Sequence, residues 1–309
     1  MKNHNLLSTL NLNLGSTKGM ILLISIITLI SASNVFAQSF TETRHETARF
    51  QNAGNVNNTL YIHNIHGDVI IKGYDGDEVQ IEYHKEINAD TRNDLDRAKE
   101  EIEFLIEEER DRILIYLDAP FIHVKKHDNK VSYNIRNWDD DYDFRFDIIV
   151  QVPRNTNLNV STINNGKVTV ENMRGQNVVA SNVNGHVELA NVTGITKAHT
   201  INGNVSASYN VSPAGNSSYQ TLNGTIEVIY PEDLSADITF KSLHGDLYTD
   251  FQNVQRLETR VESDQDRRRG KTTYRIDKFA PLRIGNGGPK FSFEVLNGDV
   301  YIKQMKSNT

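Results

Sequence analysis

The sequence predicts an all-β, repeat-built domain of the β-solenoid type, preceded by a β-rich part with one short helix. Three observations predict it. A short pattern of an apolar residue, Asn or His, Gly and a small polar residue recurs along the chain. Its copies are almost evenly spaced, and apolar residues alternate with polar ones on both sides of each copy. That alternation is the period of a strand with one buried face.

The copies are Ile65-His-Gly67-Asp-Val69-Ile-Ile71, Val183-Asn-Gly185-His-Val187, Ile201-Asn-Gly203-Asn-Val205, Leu222-Asn-Gly224-Thr-Ile226, Leu243-His-Gly245-Asp-Leu247 and Leu296-Asn-Gly298-Asp-Val300. A variant with one extra residue is Ile163-Asn-Asn-Gly166-Lys-Val168. From Gly166 the glycines advance by 19, 18, 21 and 21 residues, and then by 53 across an insertion. Asn-Gly is a strong turn signal because both residues tolerate positive φ, so Gly203 and Gly224 are expected there. Five residues before the glycines stand Ile62, Ala180, Ala198, Tyr219, Phe240 and Phe293, a second apolar column. Each unit reads as strand, turn, strand, and one unit of ~20 residues cannot cover its own apolar face, so neighbours must stack. A solenoid with one repeat per coil satisfies this. So does a β-sandwich of stacked hairpins, but the constant spacing and the matching columns favour the coil. Stacked turn asparagines are expected to hydrogen-bond in a ladder.

Ahead of the repeats the reading is less regular. Lys2 and Lys18, an apolar run from Met20 to Ile30 and the small-residue stretch ending Val35-Phe-Ala37 have the layout of a secretory signal peptide spanning residues 1–37. The apolar run is too short to cross a bilayer, which takes ~20 residues, and Gln38 in place of Cys argues against a lipid anchor. The export expected from this leads to the periplasm, the outer cell surface or the medium, with no membrane insertion of the mature chain. Removing residues 1–37 takes two lysines and no acid, and the formal charge moves from −7 to −9. An acidic chain is poorly matched to nucleic acid. With no cysteine, disulfides, thiolate metal sites and cysteine nucleophiles are excluded. Residues 38–152 form the N-terminal part: a helix over about 90–101, a hairpin from Ile102-x-Phe104-x-Ile106 and Ile113-x-Ile115-x-Leu117, and a strand Phe144–Val152 closed by Pro153. Residues 153–309 hold the solenoid, with a charged insertion at about 251–290 whose tip, Arg267-Arg268-Arg269-Gly270, reads as the end of a hairpin.

The stretch from Gly67 to Ile81, the Val152-Pro-Arg154 strand end with Leu158–Thr162 beyond it, the Asn-Gly repeats, and Ile284-Gly-Asn-Gly-Gly-Pro-Lys-Phe running into Leu296-Asn-Gly298-Asp-Val-Tyr-Ile302 carry a resemblance. From about residue 40 to the C-terminus the chain resembles the DUF4097 family of exported bacterial proteins, described as putative adhesins with β-solenoid-like domains. The resemblance implies that fold and a cell-envelope role, and it brings no catalytic residues with it. The long charged loops near 125–143 and 262–272 depart from the pattern.

Several constellations invite a chemical reading. Gly285-Asn-Gly287-Gly288 is glycine-rich, but Pro289 and an alternating strand follow it, whereas a phosphate loop opens a helix. Asp139, Asp140, Asp141 and Asp143 lack the Gly and downstream Glu of a calcium loop. His123 with His127, and His63 with His66, lack further metal ligands, and Ser161 lacks a nucleophile motif. Asp246 and Asp299 are the best pair for a carbohydrate-active enzyme, if the insertion loops out and brings them together. No catalytic, cofactor or metal site is assigned. The expected function is a non-enzymatic binding, adhesin or scaffold protein of the envelope, with a glycan or envelope protein as partner. A polysaccharide-acting β-helix enzyme and an envelope-stress accessory protein are the alternatives. Binding groups are expected on two irregular loops of opposite charge, Trp138, Asp139, Asp140, Asp141 and Tyr142 in one and Arg267, Arg268 and Arg269 in the other. Gly67, Gly166, Gly185, Gly203, Gly224, Gly245 and Gly298 are expected to be structural turns.

Overall fold

The structure is a computed structural model that describes residues 38–127, 130–135, 141–258, 261–266, 271–276 and 281–306. The signal-peptide reading of residues 1–37 falls outside them. Most of the described residues are strand, arranged mainly as a 10-stranded and an 11-stranded sheet. Each sequence repeat sends one strand to each sheet. The strand before the Asn-Gly turn, such as Ser217–Asn223, lies in one sheet, and the strand after it, Ile226–Tyr230, lies in the other. The two arms of a repeat therefore do not pair with each other as a hairpin. They pair in parallel with the same arms of neighbouring repeats, which is the solenoid arrangement.

Seven coils stack in the order 59–74, 157–171, 177–190, 195–208, 217–230, 290–304 and 236–249. The C-terminal coil is thus slotted between the two that precede it in sequence: Val300 pairs with Ile226 on one side and Leu247 on the other. The register aligns like with like. The column Ile62, Val160, Ala180, Ala198, Tyr219, Phe293 and Phe240 follows from the pairings, as does Val69, Val168, Val187, Val205, Ile226, Val300 and Leu247 in the other sheet. Parallel strands bury these columns between the sheets in one continuous core. Where the column narrows to alanine, Met173, Val192 and Tyr209 fill the interior, all fully buried. Toward the C-terminal end the core turns aromatic. Tyr219 stacks on Phe293 at 5.0 Å and Tyr230 on Phe291 at 5.3 Å, while Tyr209, Tyr219 and Tyr230 join their hydroxyls at 2.7 and 3.0 Å.

The expected positive φ is found at four of the turn glycines, Gly67, Gly224, Gly245 and Gly298, and a second constraint is common to the column. Gly224 lies at φ +157° and Gly298 at +138°, but Gly203, Gly185 and Gly166 are not in the left-handed region. What the column shares is proximity. A Cβ built at Gly203 would overlap the carbonyl oxygen of Gly185, at Gly185 that of Gly166, and at Gly224 that of Gly203. The coils approach so closely at this corner that no side chain fits. The extra residue of the variant copy is absorbed by Asn165 at φ +55°, a conformation Asn tolerates.

The N-terminal part closes one end of the stack. Tyr142–Pro153 pairs in parallel with Val69–Tyr74, and Val79–Ala89 and Gln38–Ala48 continue that sheet antiparallel. The expected hairpin, Glu103–Glu108 with Arg112–Asp118, extends the other sheet beyond Thr59–His63. The first coil lies inside segment 38–152, so this segment and the repeats share both sheets. The helix, Arg92–Glu101, is capped by Thr91, whose hydroxyl accepts from Asp94 N at 3.2 Å, and it buries Leu95 and Ala98. At its far end Lys85, a buried residue, donates from Nζ to Ile102 O at 2.7 Å and Lys99 O at 3.4 Å. An ammonium there satisfies last-turn carbonyls and suits the negative end of the helix dipole, although burial pushes its pKa down. Two small hairpins, Ile122–His127 with Lys130–Ile135 and Val261–Asp266 with Lys271–Ile276, form separate two-stranded sheets.

Candidate binding site

The Asn-Gly corner carries three parallel ladders of polar side chains. Asn184 donates to Asn164 at 2.7 Å, and Asn202 to Asn184, Asn223 to Asn202 and Asn297 to Asn223 each at 2.8 Å. Inside them Thr162, Thr200 and Thr221 donate to the carbonyls of Gly67, Gly185 and Gly203 in the preceding coil. The third ladder uses the residue after each glycine. Its side chain accepts the backbone N–H of the same position one coil on: Asp68 from Lys167, His186 from Asn204 and Asn204 from Thr225, at 2.9 to 3.0 Å.

Asp246 and Asp299 belong to this third ladder. They are neighbours, as an enzyme would require, but Asp299 Oδ1 accepts from Asp246 N at 3.0 Å. The carboxylate does between the last two coils of the stack what Asp68, His186 and Asn204 do between others, which is the behaviour of a corner cap. Ser161 also acquires a partner that its sequence context did not signal: His63 Nδ1 lies 2.8 Å from Ser161 Oγ across adjacent strands. His63 is 8% exposed, and burial lowers its pKa to about 4. A base so weak does not activate a hydroxyl at neutral pH. The backbone N–H groups around Ser161 serve the strand ladder, so they offer no oxyanion donors.

The remaining constellations disperse. His66 meets the ring of Phe144 edge-on at 5.2 Å, away from the His63–Ser161 pair, and His123 is exposed. Gly285, Gly287 and Gly288, at φ +60°, +74° and +148°, make the turn into strand Lys290–Asn297. Among the described residues no group of three or more His, Asp or Glu gathers to hold a metal ion. Asp141 reaches Arg97 of the helix at 2.8 Å. Tyr142 is 5% exposed, donates to Glu101 at 3.1 Å and lies under Arg97. It fastens the base of its loop and is not free to meet a partner. Trp138, Asp139, Asp140, Arg267, Arg268 and Arg269 lie outside the described residues.

The sequence did not point to a cavity of about 420 Å³ at the opposite corner of the first coil. It is built by three connections, 49–58, 74–78 and 153–156, and lined by Phe50, Asn58, Tyr74, Asp75, Asp77 and Arg154 among others. Arg154 pairs with the exposed Asp75: Nη2 donates to Oδ2 at 2.8 Å, and Nε lies 2.6 Å from Oδ1 without making a hydrogen bond. The residues come from positions 50 to 156, so only the stacking of the first coil on its neighbours assembles them.

Among solved structures the chain is similar to a "putative cell adhesion protein" from Clostridium sporogenes, at 10% identity and TM-score 0.40, over 86% of this chain and 100% of that one. It is similar to a "putative adhesin" from Bacteroides fragilis, at 10% identity and TM-score 0.25, over 87% and 97%. A "putative lipid binding protein" from Parabacteroides distasonis follows, at 12% identity and TM-score 0.21, over 86% and 97%. No curated protein matches the chain. The family model described as Toastrack DUF4097 matches residues 123–278, half of the chain. With that match and the two-sheet stack of in-register coils, this chain belongs to the Toastrack DUF4097 family.

Proposed function

We propose that the chain is an exported, non-enzymatic binding protein of the cell envelope, of the adhesin or scaffold type. The observation that supports this most is the corner role of Asp299. Of the pair that the sequence singled out for glycoside chemistry, Asp299 spends one carboxylate oxygen on a hydrogen-bond ladder whose other accepting members are Asp68, His186 and Asn204. A regular stack of coils is a rigid rod, and such scaffolds present extended surfaces and irregular loops to partners. Export accords with the signal-peptide layout of residues 1–37. Among the described residues no helix is long and apolar enough to cross a membrane. The partner in this reading is a glycan or another envelope protein.

The test pairs two assays on the mature chain. Labelled protein is expected to bind isolated envelope fragments saturably while releasing no reducing ends from polysaccharide. Turnover that Asp299→Asn or Asp246→Asn abolishes would overturn the reading in favour of an enzyme. Proteinase treatment of intact cells is expected to leave cytoplasmic markers untouched and to report whether the chain is reached from outside.

A further inference from the structure

The last coil of the stack, 236–249, leaves the bonding pattern of the glycine corner unfinished. From coil 195–208 onward the turn glycine donates its N–H to the next coil: Gly203 to Asn223 O, Gly224 to Asn297 O and Gly298 to His244 O, at 2.9 to 3.1 Å. The residue two past it does the same, Val205 to Thr225 O, Ile226 to Asp299 O and Val300 to Asp246 O, at 2.9 to 3.0 Å. Two of these steps add a return bond, in which Asn204 accepts from Thr225 N and Asp299 from Asp246 N, each at 3.0 Å. In coil 236–249 the corresponding groups are Gly245 N–H, Leu247 N–H and the Asp246 carboxylate. Among the described residues none of the three has a partner.

Leu247–Thr249 is the outermost strand of the 10-stranded sheet. The other sheet ends are guarded by charge. Gln38–Ala48 carries the Glu42–Arg44 pair, Glu103–Glu108 has three glutamates, and Val254–Arg256 ends in arginine. Such charges discourage the addition of a further strand, and Leu247-Tyr248-Thr249 has none. Tyr248, 48% exposed, stacks on Tyr301 with ring centroids 5.1 Å apart. The Asp299 and Asp246 carboxylates push the pKa of its hydroxyl up, so the edge joins an aromatic ring to a negative field.

We propose that this edge takes up an extended basic segment of another protein as one further strand, parallel to Leu247–Thr249. The inference rests on the binding reading above and chooses a protein as the partner. The register of the stack specifies the guest. Its residue over Gly245 must be glycine, because at each step of this corner a Cβ on the later glycine would overlap the carbonyl oxygen of the earlier one. The next residue donates its N–H to Asp246, and the third is apolar and covers Leu247. The fourth lies over the face of Tyr248 turned away from Tyr301, where a cation gains both the ring and the carboxylates. Main-chain bonds give an added strand its affinity and alternate side chains its specificity. A second copy of this chain fits less well. Antiparallel pairing centred on Tyr248 would set the exposed Asp246 of each copy against the exposed Asp250 of the other.

The experiment is fluorescence anisotropy of the labelled peptide Thr-Asn-Gly-Thr-Val-Arg-Val with the mature chain. Saturable binding is expected. Glu in place of the peptide's Arg, or Asp246→Ala in the chain, should weaken it about tenfold, the loss of one charged contact. Val in place of the peptide's Gly should abolish it. Leu247→Pro removes an N–H that the folded chain leaves unbonded, and should abolish binding with the melting temperature little changed. No binding of the parent peptide, equal binding of the Gly and Val peptides, or binding that neither chain variant alters overturns the proposal. So does a dimer of the mature chain alone, seen by sedimentation and lost in Leu247→Pro, which would make a second copy the occupant. Capture of envelope fragments by a wild type that binds no peptide would remove this site and leave the envelope-binding function standing. Peptide binding without such capture would keep the site and remove that function.

Discussion

The two corners of each coil follow opposite rules. At the Asn-Gly corner the connection is short in every coil, from two residues between Asn202 and Val205 to five between His63 and Val69. At the other corner it runs from four residues, between Ala190 and Ile195, to excursions that carry the helix and a hairpin at 75–156, or the charged insertion after Thr249. The first corner stacks glycine on glycine and ties every coil to the next by side-chain ladders, so one added methyl is already too much. The second carries its own shorter ladder, Asn172, Asn191 and Asn210, and elsewhere accepts whatever length of chain leaves it. One corner therefore holds the rod together, while the other is where members of such a fold can gain loops and sites.

The comparison breaks most readily at a glycine. Gly203→Val should cost about 3 kcal/mol or more, since overpacking against an immovable backbone carbonyl is at the upper end for such changes, whereas Ala53→Ser at the variable corner should leave the chemical-denaturation midpoint unchanged. Equal effects would show that the glycine column is not close-packed. The second largest effect concerns acid. His63, beside the fixed corner, titrates at about 4 when folded and near 6.5 when unfolded. Its folded pKa is depressed, so the unfolded chain binds more protons between these values. The contribution is present above pH 6.5 and is lost as pH falls toward 4, about 3 kcal/mol in total. Urea titrations at pH 7 and pH 4.5 should show that loss, and His63→Gln should flatten it.

Smaller effects sharpen the contrast. Asn223→Ala removes two ladder hydrogen bonds in mid-stack and should cost about 1 to 2 kcal/mol. The exposed tip Asn57→Ala, at the other corner, should cost a few tenths at most. The smallest effect is expected at the charged tips. Replacing residues 267–270 by Asn-Gly should leave the melting temperature essentially unchanged, because the hairpin Val261–Asp266 with Lys271–Ile276 is a sheet of its own. A fall of many degrees would show that the insertion supports the rod.

Local periodicity made much of the architecture legible. The alternation around each Asn-Gly marks strands with one buried face, and the equal spacing implies stacking in register. The asparagine ladder follows from the same kind of reading, as does the helix, expected over about 90–101 and found at Arg92–Glu101. Even the ends of the stack have a local mark, since the first and last coils in space carry His66-Gly67-Asp68 and His244-Gly245-Asp246, whereas the five between them carry Asn-Gly.

What the tertiary structure alone decided depends on contacts between residues far apart in the chain. The placing of coil 290–304 between coils 217–230 and 236–249 is not a local property, because it depends on which coils pair across the stack. The need for glycine at 203 comes from the carbonyl of Gly185 in the preceding coil, and no propensity of the Asn-Gly pair contains it. The roles of Asp299, Ser161 and Tyr142 are set by a neighbour's N–H, a histidine 98 residues away and a helix 41 residues away. The cavity draws Phe50, Asp77 and Arg154 from three separate connections. Sequence determines which face of each strand is apolar, because that depends on nearest neighbours along the chain. It leaves open which polar groups meet, because hydrogen-bond partners are chosen across the stack.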